Sequence, residues 1–155
     1  MEPSFLRASF DTIESATIVA VFIPVVLGQA GIAGTQTLTL IVRSIALGDI
    51  DQGDTASLLR HELALSVLQG LVVAVILGLI VLAWQQDVSL GLIIAGAMVI
   101  NLIVAATGGV LVPLGMRAAR IDPAASSAVL VTTFTDVIGL MVYLGLATAF
   151  LTSIN

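Results

Sequence analysis

The 155-residue sequence has no cysteine, no lysine, a single histidine and only 5% aromatic residues. Without cysteine there is neither a disulfide framework nor a thiolate metal or redox site. One histidine, His61, cannot build a zinc site alone. Positive charge is scarce: five arginines stand against ten acids, for a net charge of −5. That leaves no basic surface for a phosphate backbone, so nucleic acid is excluded as a partner. Charged residues make up 10% of the chain, where an ordinary globular domain carries about 25%. So little polar material cannot coat a soluble particle. Met1–Asp11, MEPSFLRASFD, also lacks the apolar core of a signal peptide.

What the sequence does have is hydrocarbon. Apolar residues reach 59% and the mean hydropathy is +1.18, which marks an integral membrane protein. No alternating strand pattern occurs. Four long apolar stretches predict an all-α bundle with transmembrane helices over about 15–47, 63–84, 90–116 and 124–151, each reaching the roughly 20 residues that span a bilayer. Residues 1–155 then form a single transmembrane domain. Asp54 or Thr55 is expected to cap the second helix, and Asp122 the fourth, with Pro123 just inside it. Trp84 reads as an interfacial anchor.

Arg43, Arg60, Arg117 and Arg120 fall on one side of this bundle and Arg7 on the other. The positive-inside rule puts the first side in the cytoplasm and both termini outside. An outward N-terminus without a signal peptide is an unusual insertion, or it implies a further helix upstream of Met1. No internal repeat of the kind found in many secondary transporters is visible.

Polar residues at membrane depth are costly and mark candidate sites. Asp136 is the clearest, deep in VTTFTDVIGLM with no positive residue in its span. An isolated carboxyl group in hydrocarbon is neutral; it stays ionised where it meets water or a cation. Thr132, Thr133 and Thr135 surround it with hydroxyls, and Thr132, Asp136 and Gly139 are expected to share a face. In the first span Gly28, Gly31 and Gly34 recur below Pro24. They read either as a close helix-packing stripe or as backbone bared along an aqueous path, as in discontinuous transporter helices. Asn101, Thr107, Gly108, Gly109 and Pro113 are expected to break up the third span, with Asn101 hydrogen-bonding a neighbouring helix or, alternatively, coordinating an ion. Glu14 reads as an outer-edge acid, and His61 and Glu62 as capping and interfacial residues.

One carboxylate per chain is a weak metal site. A two-fold dimer would pair two copies of Asp136. Mg²⁺, which keeps several waters and needs only one or two carboxylates, suits such a site. The residues alone leave three readings open: a cation pathway, a proton- or sodium-coupled carrier of another solute, and a non-transporting membrane fragment. No nucleophile–base pair suggests an enzyme.

Three stretches resemble the transmembrane domain of the MgtE family of magnesium transporters: FIPVVLGQAGIAGTQTLTLIVRSIALGDI (22–50), NLIVAATGGVLVPLGMRAARIDPA (101–124) and VLVTTFTDVIGLMVYLGLATAFL (129–151). The family pattern is a proline, a GGN-x-G-x-Q segment and an Arg-bearing helix, with T-D-V-x-G in the last helix. The resemblance implies a homodimer in the cytoplasmic membrane that conducts Mg²⁺, its transported ion, along a path between protomers. Asp136 would bind the ion, while Gly28, Gly31, Ala128 and Thr132 line the path. It also implies five helices where this chain has four, and cytoplasmic regulatory domains that the chain lacks. The family's Asn position is Ile32 here.

Overall fold

A computed structural model describes residues 4–49 and 55–154, with side chains for 17–49, 55–124 and 127–149. The described residues form four helices and no strand: α1 (Ser4–Leu47), α2 (Thr55–Gln85), α3 (Val88–Ala118) and α4 (Pro123–Ile154). Within them, Thr17–Leu47, Thr55–Gln85, Val88–Ala118 and Ser127–Ala149 are long and apolar enough to cross a membrane. This is a multi-pass membrane protein. Its backbone satisfies itself inside helices, as hydrocarbon demands.

The turns follow from local chemistry. α1 stops at Gly48, whose φ of 75° is the left-handed conformation that glycine adopts freely. The Asp49 N–H then donates back to the Ser44 carbonyl at 3.0 Å. Asp87 caps α3 by accepting from the backbone N–H groups of Ser89 and Leu90, at 2.8 and 3.1 Å. Asp122 caps α4 as expected, accepting from Ala124 N–H at 2.9 Å. Asp54 lies outside the described residues. Thr55 is the first residue of α2, eight residues before the expected start at Leu63, because the more polar segment TASLLRHE continues the apolar run in one unbroken helix.

α3 is the hub and packs on all three other helices, while α1 also packs on α4. The core is apolar: Phe22, Val26 and Ala30 of α1, Leu77 and Val81 of α2, Ile94, Met98 and Leu102 of α3, and Tyr143 and Ala147 of α4. Buried positions on α4 recur every four residues, at Val131, Thr135, Gly139, Tyr143 and Ala147. The Tyr143 hydroxyl donates to the Val19 carbonyl at 2.8 Å and ties α4 to α1.

Contrary to the sequence expectation, α3 is not broken up. It runs unbroken through Gly108, Gly109 and Pro113, because the two glycines are contact points. The Phe134 ring lies 2.8 Å from where a Gly108 Cβ would sit, and the Gly34 carbonyl oxygen and Thr37 Cβ lie 2.8 Å from where a Gly109 Cβ would sit. α1 is likewise unbroken through Pro24, so it is not a discontinuous helix.

Candidate functional site

Asp136 projects from the middle of α4 on the exposed side of the helix. Ala128, Thr132 and Asp136, spaced by four, form one flank at the margin of the packed face. Thr132 is half-buried there, and its hydroxyl donates to the Ala128 carbonyl at 3.0 Å. With its proton committed inward, the hydroxyl oxygen keeps lone pairs for an outside donor. Thr135 does not join this flank: it is buried, and its hydroxyl donates to the Thr132 carbonyl at 2.9 Å. Gly139 does not join it either. It stands about 60° around the axis from Asp136, enough to place it in the interface with Leu27 and Asn101.

The glycines of α1 part company. Gly28 and Gly31 have no atom within 4 Å of a would-be Cβ, whereas Gly34 meets Val131 Cγ1 at 3.0 Å and the Ala105 carbonyl oxygen at 3.3 Å. The packing reading therefore belongs to Gly34, and open backbone to Gly28 and Gly31. The Gly31 carbonyl also accepts the Thr35 hydroxyl at 3.0 Å. Below them, Thr35, Gln36, Thr39 and Leu40 line a shallow hollow of about 490 Å³. Ile32, where the family pattern has Asn, is exposed beside them. Leu27, next to Gly28, touches Gly139, one turn from Asp136. Gly28 and Asp136 thus stand at one level on neighbouring helices.

Two polar residues differ from their sequence reading. Glu62, expected as a capping and interfacial residue, turns inward: its side chain is only 12% exposed and accepts the hydroxyl of buried Thr37 at 2.9 Å. This bond ties α2 to α1. Its signal in the sequence was an acid about two helical turns past the expected cap, next to an apolar run. His61, by contrast, is exposed, with Nδ1 3.5 Å from the Glu62 carboxylate. Asn101 is fully buried in α3, and neither amide atom has a hydrogen-bond partner. The expected bond to a neighbouring helix is absent because the residue it faces on α4 is Gly139, which has no side chain to offer. The side chain of Glu14 lies outside the described residues. Among the described residues no three of His, Cys, Asp and Glu come together, so one chain offers the flank a single carboxylate.

Comparison with known proteins adds four findings of one kind. The family model for MgtE, described as a divalent cation transporter, matches residues 23–146. The chain is 30% identical over 144 residues to a magnesium transporter MgtE of Bacillus subtilis (strain 168), covering 93% of this chain and 32% of that protein. It is 32% identical over 152 residues to the magnesium transporter MgtE of Enterococcus faecalis, covering 97% and 34%. The protein of that name from Thermus thermophilus is 32% identical over 145 residues, covering 93% and 32%. The chain spans about a third of the length of these relatives.

Proposed function

The chain belongs to the MgtE family of divalent cation transporters, and from that premise we propose that it passes Mg²⁺ inward across the cytoplasmic membrane as a homodimer. The observation that carries this reading is Asp136: a carboxylate in the middle of a membrane-spanning helix, on a face that its own chain leaves uncovered. Left against lipid, such a group is costly. Against a second copy of the chain it faces its own equivalent, and the pair supplies the two carboxylates that a largely hydrated Mg²⁺ takes.

The ion keeps its waters. Asp136 accepts hydrogen bonds from that shell or takes the metal directly, and Thr132, with lone pairs outward, accepts from further waters. Gly28 and Gly31 of α1, and Ala128 about two helical turns from Asp136, contribute small surfaces along the path. No bond is made or broken. The membrane potential assists entry by about 2.3 kcal/mol per charge per 100 mV.

Reconstitution in proteoliposomes tests the proposal. Mg²⁺ influx, read by an internal dye, is expected from the unaltered chain and is expected to fall to background with Asp136→Ala. Influx that survives the substitution refutes the site. Transport that needs a proton or sodium gradient and persists without divalent ions would instead make Asp136 the coupling residue of a carrier. No influx from the unaltered chain would leave a membrane scaffold as the reading.

A further inference from the structure

Asn101 has a property that membrane packing does not explain. It lies in the middle of α3, fully buried, and both polar atoms of its amide lack a hydrogen-bond partner. Its near neighbours along α3 are Ile, Leu, Val and Ala, and a leucine of the same branched shape would avoid the unmade bonds. A buried polar group that lowers stability without compensation calls for another explanation, such as a role in function.

The surroundings say which role. The Asn101 Oδ1 lies 3.1 Å, and Leu27 Cδ2 lies 3.0 Å, from where a Gly139 Cβ would sit. A helical side chain covers the turn on the N-terminal side of its own Cα. Gly139 has none, so the backbone carbonyls of the preceding turn, which carries Thr135 and Asp136, are uncovered toward α3. The group facing that bare turn is the Asn101 amide. A half-turn about its terminal bond exchanges oxygen for nitrogen and puts the amide nitrogen, with its two N–H donors, beside that turn. Leu27 is the residue before Gly28, so the same junction touches both elements that present the proposed path.

We propose that Asn101 is a positioning residue for the cation station: when Asp136 takes a hydrated divalent cation, the Asn101 amide donates to the bare carbonyls of the Thr135–Asp136 turn and holds that turn in place. The inference rests on the reading of Asp136 above. Asn101 does not touch the ion. It acts through the α4 backbone, and its unused donors are what the loaded state draws on.

The test uses the purified chain with two readouts, Mg²⁺ influx in proteoliposomes and the rise in thermal unfolding temperature that Mg²⁺ produces in detergent. Asp136→Asn is expected to abolish both. Asn101→Leu is expected to be at least as heat-stable as the parent without Mg²⁺, yet to lose at least half of the Mg²⁺-induced rise. Its influx should fall by at least about fivefold, the low end of a typical coupling between sites. Gly139→Ala covers the bare turn and should give the same pattern, with Leu27 and the Asn101 amide yielding by a few tenths of an ångström. It decides the matter should Asn101→Leu fail to fold. Parent-like influx and a parent-like Mg²⁺ response in the folded variants, while Asp136→Asn abolishes both, would overturn the role of Asn101 alone. Influx or a Mg²⁺ response that survives Asp136→Asn overturns the site, and this inference with it.

Discussion

At the scale of single residues, exposure separates groups that act outward from groups that hold the bundle. Thr132 sits on the flank of Asp136 with its hydroxyl proton on the Ala128 carbonyl. Thr132→Val keeps the shape and removes the outward lone pairs. Influx is expected to drop several-fold, with the unfolding temperature changed by no more than about 1 °C, as befits a surface substitution. Thr37 and Glu62 are the opposite case. Glu62→Leu leaves the buried Thr37 hydroxyl without its acceptor, which costs about 1–3 kcal/mol; thermal unfolding in detergent reads this directly. Asp136 stands out in the sequence as a candidate because an acid in an apolar run is rare and costly in a membrane. Glu62 does not, because an acid at a span edge is usually solvated, and its partner lies 25 residues away on another helix. Asn101 was misread because Asn in a bundle normally finds a side chain across the interface, and here the residue opposite is glycine.

At the scale of helices, the number and order of elements followed from apolar runs and turn chemistry, while their ends and faces did not. Hydropathy sees only where the bilayer is, so it missed the polar first turns of α2. Spacing left both readings of the α1 glycines open, and the structure divides them for a geometric reason. Each step of three residues slips about 60° around the axis, so Gly34 is turned about 120° away from Gly28. That is enough to carry it from the open face into the crossing with α3. Helix packing through glycine therefore rests on Gly34 and Gly109. A Gly109→Ala methyl would lie 2.8 Å from the Gly34 carbonyl oxygen and from Thr37 Cβ, and backbone cannot yield cheaply. The expected loss is about 1–3 kcal/mol. Gly31→Ala, with no atom within 4 Å of the new methyl, is expected to leave thermal stability unchanged or slightly raised. If it nonetheless lowers influx, the open face of α1 is part of the path.

At the scale of the whole molecule, the bundle buries one side of α4 and leaves the other bare. Val129, Val137, Met141 and Leu144 are exposed around Asp136, and so is the outer face of α2 at Leu68, Val72 and Ile76. Both faces are apolar and both could rest in lipid, but only the α4 face carries a carboxylate at membrane depth. Covering that face with a second copy removes Asp136 from hydrocarbon; covering the α2 face does not. The absence of cysteine makes the choice measurable. Met141→Cys and Val137→Cys are expected to yield covalent dimers on oxidation in membranes, because a two-fold axis beside α4 brings each residue near its own copy. Val72→Cys and Ile76→Cys are expected to stay monomeric under the same treatment. Crosslinking through α2 alone would move the interface to the far side of α3. Asp136 would then stand against lipid, and a path between protomers would have no carboxylate in it.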